Sequence, residues 1–271
     1  MRHAASYSRS TVQVETCAAI FEEDRPAVPD WIDGISVLDR SVLDIVTTSE
    51  SRRKLPLLTD VLDKAHQGET EPDLVIYSNI DIGLMPFFYE FVANAYRSGI
   101  DGMVINRRSI FPTFASSDDL TTLYAEVGIP HPGRDCFVFT PDAFGKYDLG
   151  LVVIGAADVG RVLLWNIALH ANEFVWFEDQ HLTFHVGDDR SWDRFDMARI
   201  HDHNNDQARE VLARLETSHG RLLDREPWSR LPPRPPAYWS EQRWAEEPTN
   251  RLVRGQRKLR RRLRRAFRRH P

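Results

Sequence analysis

The stretch from Asp73 to Arg108, DLVIYSNIDIGLMPFFYEFVANAYRSGIDGMVINRR, constrains the fold most, because it reads as strand, acidic turn, helix, strand and basic end in one unit. Leu74 to Tyr77 is a short apolar run of β-formers followed by the polar pair Ser78 and Asn79, the pattern of a buried strand. Pro86 suits the first turn of a helix, Phe88, Phe91, Val92 and Ala95 recur at i, i+3, i+4 and i+7, and Gly99 suits its end. Gly102 to Asn106 then opens the next strand, with Arg107 and Arg108 expected at its end. Asp81 therefore falls just beyond the carboxyl end of a strand, where open α/β sheets gather their ligands.

The flanking sequence extends this alternation. Residues 1 to 10 read as a frayed start, Thr11 to Phe21 as a first strand and Ile35 to Leu38 as another. Pro56 fits a helix start, and Leu58, Val61, Leu62 and Ala65 line one face of a helix ending near Gly68. The order β, α, β, α, β predicts an α/β fold with a mostly parallel central sheet flanked by helices. Ser116 or Ser117 is placed to cap a helix ending at Gly128, and Asp135 to open the apolar run Cys136 to Phe139. Asp158 to Ala171 has helical spacing, whereas Phe174 to Phe177 and Leu182 to Val186 read as two strands that pair around Glu178 to His181. A polar helix is expected from Asp206 to Ser218.

Pro227, Pro232, Pro233, Pro235 and Pro236 predict an extended linker, with Trp228, Tyr238, Trp239 and Trp244 available to dock it. The expected division is an α/β domain over 1–226, a Pro/Trp-rich linker over 227–250 and a basic amphipathic helix over 251–271. That last segment holds ten Arg and one Lys without an acid, so of 35 basic side chains 24 remain to face 40 acids in the rest of the chain. An acidic body is a poor nucleic-acid surface, because phosphate neutralisation supplies most nonspecific affinity. The tail instead suits an anionic membrane surface, RNA or an acidic partner.

An apolar fraction of 42% in 271 residues supports a sizeable core. Cys17 and Cys136 lie far apart, which argues for a reducing, cytoplasmic setting and against a disulfide framework or structural zinc. No signal-peptide pattern and no spanning apolar run is visible, so any membrane association is expected to be peripheral.

Asp81 is the leading candidate for chemistry, since a carboxylate at a strand end can ligate a hard divalent cation completed by phosphate oxygens and water. Arg107 and Arg108 at the same edge would suit a diphosphate. His185, in the alternation LTFHVGDD, has the residue type to complete a metal site begun by Asp81. Asp135 follows a Pro-Gly turn, where an acceptor-binding or general-base carboxylate could be held. His201, Asp202, His203 and Asp206 in HDHNND have metal-ligating residue types, but their polar flanks favour a solvated surface. The GxSxG, Walker A, GxGxxG and HExxH motifs are absent, which lowers the standing of serine hydrolases, P-loop enzymes, dinucleotide oxidoreductases and zincins.

Taken in order, RKLPLLTDVLDKA, DLVIYSNIDIGLMPFFYEFV, INRR, GRDCFVF, the Ile-Gly segment before a Trp-Asn helix, and LTFHVGDD resemble the nucleotide-sugar glycosyltransferases of GT-A-like fold, in groups whose metal motif reads NxDI rather than DxD. The resemblance covers roughly residues 52 to 190. It implies that Asp81 binds a divalent cation, Mn²⁺ or Mg²⁺, on the diphosphate of a nucleoside-diphosphate sugar, with His185 as the late ligand. It also implies that Asn79 lies nearer the ribose, that Arg107 lies by the site, and that Asp135 faces the acceptor or donor sugar. The acceptor would be a sugar, a lipid-linked molecule or a protein. Asn79 stands where the motif usually has an acid, which leaves room for a noncatalytic member. Two other classes stay open: a metal-dependent hydrolase using Asp81, His185, Asp188 and Asp189, and a binding scaffold that serves the basic tail.

Overall fold

The computed structural model describes residues 1–46, 53–65, 71–111, 119–187 and 197–240. In chain order its elements are α1 (Arg2–Ser8), β1 (Cys17–Ile20), β2 (Gly34–Val37), α2 (Leu58–Ala65), β3 (Val75–Ser78), β4 (Gly83–Leu84), α3 (Phe88–Arg97) and β5 (Gly102–Ile110). There follow α4 (Leu120–Ala125), β6 (Ile129–Phe139), α5 (Pro141–Phe144), α6 (Val159–His170), β7 (Phe174–Phe177), β8 (Thr183–Val186) and α7 (Ala198–His219). The expected cap at Ser116 or Ser117, the helix end near Gly68, the acids Asp188 and Asp189, Trp244 and the basic segment 251–271 lie outside the described residues.

The fold is α/β, but its main sheet is mixed rather than mostly parallel. Strands run in the order β3-β6-β5-β8-β4, with β7 also on β5, while β1 and β2 form a separate parallel pair. The reason lies in β6, which enters between β3 and β5 and runs antiparallel to both. Strands β3 and β5 therefore point the same way, as the intervening α3 requires, yet they are not neighbours.

Strand β5 is the axis of the sheet. One edge carries β6; the other carries β7 along residues 102–105 and then β8 along residues 108–110, both in parallel. The expected pairing of the Phe174 and Leu182 segments with each other is thus replaced by two strands laid in line on β5. Arg107 and Arg108, expected at a strand end, lie inside β5, and Asp135, expected at a strand start, lies inside β6.

The alternation of β5 and β6 divides the core. Val104, Phe137 and Phe139 face α2, α6 and α7, whereas Met103, Ile105, Cys136 and Val138 face α1 and α3. Helix α6 is apolar nearly all round, with Val162 to Ile167 buried, as an interior helix must be. Helix α3 is amphipathic and buries Phe88, Tyr89 and Val92. The first ten residues are not frayed: α1 packs against α3, with Ala4 fully buried and the Ser8 hydroxyl donating to the Ala4 carbonyl. Seven mostly polar or small residues are too few to display the periodicity that would have revealed this helix.

One further expectation changes in part at the carboxyl side. In HDHNND, His201, Asp202, Asn204 and Asn205 are buried, whereas His203 is partly so and Asp206 is exposed. Asn204 binds both backbone groups of Val153 and the Ala157 carbonyl, His201 Nδ1 accepts from Ala157 N–H, and Asp202 accepts from the amides of Trp239 and Ser240. Polar residues here serve backbone that lacks a sheet partner, which hydropathy cannot register. The proline-rich segment docks on the body as far as Ser240, in line with the expected role of its aromatic residues. Trp228 enters the core, Arg230 stacks on Trp176 with its carbon 4.3 Å from the ring centre, and Asn205 grips the backbone of Arg234 and Pro235.

One connection shapes the functional end. Ser78 closes β3 at one edge of the sheet and Gly83 opens β4 at the other, with Asn79 to Ile82 between them. Five Cα steps reach at most about 18 Å, while four strand spacings in a flat sheet need about 19 Å. A turn that bonds Ile82 N–H to the Asn79 carbonyl at 3.2 Å shortens the reach further. The sheet therefore curls, and the Asn79–Ile82 turn spans the mouth of the curl. At Gly83 an added Cβ would lie 2.4 Å from the Phe184 ring, so any larger residue would have to displace that ring where β4 closes onto β8.

Candidate functional site

The turn brings Asp81 to His185. Strand β8 holds His185 with its side chain 7% exposed, while Asp81 is 57% exposed, and Nε2 of the one lies 3.1 Å from Oδ2 of the other. The His185 Nδ1 is 3.1 Å from the Gly187 carbonyl oxygen, which can only accept, so Nδ1 carries the proton of that bond. A neutral ring then turns the Nε2 lone pair toward a carboxylate. Two acceptors so placed repel unless a proton or a cation lies between them. Cis donors about 2.1 Å from a hard divalent ion at right angles stand about 3 Å apart, so the pair fits two positions of such a coordination shell. Among the described residues no group of three or more His, Cys, Asp and Glu side chains could hold a metal ion. Two protein ligands nevertheless suffice for an ion whose remaining positions go to phosphate oxygens and water.

Beside this pair lies a second constellation built on strand register. Ser78 faces Cys136, so Asn79 comes opposite Asp135 and donates its backbone N–H to the Asp135 carbonyl at 3.2 Å. The Asp135 carboxylate accepts from Asn79 Nδ2 at 3.0 Å and from Arg107 Nη1 at 2.8 Å. The Arg107–Asp135 pair is largely buried, with side chains 13% and 11% exposed. Both carboxylate oxygens are engaged, which makes Asp135 a holder of Asn79 and Arg107. Arg107 Nε has no acceptor, and the Asn79 side-chain oxygen is not used in these contacts. Tyr77 lies in the same region, and burial, followed by the charge of Asp135, pushes its phenol well above the usual range and keeps it neutral.

Arg108 belongs to a different network. Its guanidinium donates to the carbonyls of Val127, Gly128 and Asp179 and to the Asp179 carboxylate, and it is 9% exposed. It ties β5 to the turn before β6 and to the link between β7 and β8, which leaves little capacity for a ligand. Asn106 is also committed, accepting from Trp176 Nε1 at 2.9 Å.

The sequence reading missed a crowd of guanidiniums next to Asp135. Arg134, Arg161, Arg230 and Arg234 come together around Asp158, Glu178 and Trp176. Three separate segments, β6, α6 and the segment after α7, supply them, so no local motif announces the cluster. Comparison with known proteins adds no relative: no family model, curated protein or solved structure matches the chain. Among the described residues no helix is long and apolar enough to cross a membrane.

Proposed function

We propose that the protein is a glycosyltransferase of GT-A-like layering, transferring a sugar from a nucleoside-diphosphate sugar to an acceptor with a divalent cation held by Asp81 and His185. The observation that carries this reading is the Asp81–His185 approach at the carboxyl edge of the sheet. When bound, Mn²⁺ or Mg²⁺ supplies charge neutralisation for the diphosphate leaving group. His185 is fixed for this task by Gly187, as ligating histidines commonly are by a hydrogen bond from their other nitrogen. Arg107 offers its remaining N–H groups to a phosphate oxygen, and Asn79 offers its side-chain oxygen to a sugar hydroxyl. Asp135 acts as a positioning residue that sets both.

A metal-dependent hydrolase would use the same Asp81–His185 pair, so sugar-nucleotide binding, rather than this contact, separates the two readings. The reading extends to the basic segment 251–271, which would bring the enzyme to an anionic membrane surface bearing its acceptor. A thermal-shift panel of nucleotide sugars, run with Mn²⁺ and with chelator, tests the donor reading. A rise in Tm with one sugar nucleotide only when Mn²⁺ is present supports it, because ligands that bind the folded state stabilise it. No shift with any of them contradicts it.

A further inference from the structure

The guanidinium cluster is out of balance. Arg134, Arg161, Arg230 and Arg234 are matched by three carboxylates, but Glu178 and Glu226 both serve Arg230, so Asp158 alone stands against the other three guanidiniums, while the neighbouring Asp135 is committed to Arg107. Asp158 Oδ1 accepts from both Arg161 and Arg234, and Glu178 pairs with Arg230. Arg134 has no ion pair among the described residues and rests on Trp176, its guanidinium carbon 5.8 Å from the ring centre. The Nε groups of Arg134 and Arg161 are buried without an acceptor, and the second oxygen of Asp158 is buried without a donor.

A cluster that served stability alone would be expected to match its buried charges, since an uncompensated one is costly. The cost is visible. Burial first, then Arg234 and Arg134, lower the Arg161 guanidinium to about 9, and burial likewise lowers Arg134 and Arg234. Two backbone features bring the first turn of α6 against Arg134. Asp158 is held at φ +74°, a conformation unusual for a residue with a side chain, immediately before the first turn of α6. Gly160 lets that turn press on β6, because an added Cβ would lie 3.1 Å from the Arg134 carbonyl oxygen. The positive end of a 12-residue helix thus faces the same place.

We propose that Arg134, Arg161 and Arg234 form a subsite for an anionic group, a phosphate or a carboxylate, carried by a molecule bound next to Asp135. This inference does not depend on the glycosyltransferase reading, because the surplus of charge is present whatever reaction occurs beside it. Arg134 and the 31%-exposed side chain of Arg234 give access, and Arg161 forms the floor.

Calorimetric titration of the full-length protein with inorganic phosphate and, separately, with glucuronate tests it, in chelator and against chloride at matched ionic strength. Saturable binding of at least one anion is expected; preference for phosphate marks a phosphoryl group as the source, and preference for glucuronate marks a carboxylated sugar. Arg134→Gln and Arg234→Gln should each weaken binding about tenfold, the loss of one charge-assisted partner. Arg234 lies on the partly exposed carboxyl segment, so its variant carries the test if Arg134→Gln fails to fold. No saturable binding of either anion, binding undiminished in the folded variants, or binding lost only in Arg107→Gln would overturn the proposal.

Discussion

His185 Nε2 stands 3.1 Å from Asp81 Oδ2 because β8 lies on β5 in parallel register, with His185 opposite Ser109, instead of folding back along β7. The contact therefore depends on the strand order as much as on the two side chains. Asp81→Asn is expected to remove Mn²⁺-dependent nucleotide-sugar binding and to change stability by less than about 1 kcal/mol, since Asp81 is a solvent-facing turn residue. Chemical denaturation beside ligand titration reads both. Unchanged Mn²⁺-dependent binding would remove Asp81 from the site.

Arg107 and Arg108 are adjacent but should behave differently. Arg108→Ala removes a buried guanidinium that ties the carbonyls of Val127 and Gly128 to the exposed Asp179, so a loss of about 1–3 kcal/mol is expected with donor binding retained in the folded fraction. Arg107→Lys keeps the charge but loses the planar fork, and should weaken donor binding with little change in stability. The reverse pattern in the two variants would exchange their roles.

How far the site could be read from sequence follows from the same residues. Asp81 was placed at a strand end because Leu74 to Tyr77 is a local apolar run, and local patterns survive in sequence. The contact with His185 spans 104 residues and needs the order of five strands, which no local pattern encodes. The mixed sheet escaped for a similar reason. IPHPGR looks like a loop, yet it forms the first half of β6, where register shifts opposite Ile105 to Arg108 accommodate the prolines and glycine. In HDHNND the side chains of His201, Asp202, Asn204 and Asn205 are consumed by backbone, and hydropathy counts them as surface.

The burial of Asn204 supplies a test. Asn204→Ala would leave the Val153 N–H and the Val153 and Ala157 carbonyls without their partner in the interior, and about 2–4 kcal/mol should be lost. His203 holds only the Leu151 carbonyl at the surface, so His203→Ala should cost under about 1 kcal/mol. Similar urea midpoints for the two variants would contradict the buried role of Asn204.

Asp101 gives the fold a specific acid sensitivity. Burial would raise its carboxyl, but the backbone N–H groups of Glu173 and Asn172 and the Asn172 side chain outweigh that and hold it below the ordinary 3.8. A carboxyl lowered in the folded state stabilises above its unfolded value and loses that contribution as pH falls through the folded value. Asp101→Asn should therefore lower the Tm at pH 7 and have progressively less effect as pH falls below about 3.8. An equal deficit at both pH values would show that proton linkage is not involved.

The basic segment makes a prediction about place. Protein truncated after Asn250 should no longer pellet with anionic vesicles, whereas the full chain should pellet at low salt and release as salt rises past the point where screening reaches about 8 Å. Equal pelleting of the two, or none at low salt, would rule out the membrane role.

The central claim is that Asp81 and His185 jointly hold a divalent cation on a nucleoside diphosphate. Electron paramagnetic resonance of Mn²⁺ tests it most directly, since the free ion gives a strong signal that falls on binding. Titration of full-length protein in the presence of UDP or GDP should reduce the free-ion signal beyond the nucleotide-only control, and Asp81→Asn and His185→Ala should each restore it. A signal unaffected by the protein, or reduced by the variants as much as by the unaltered protein, would contradict the claim.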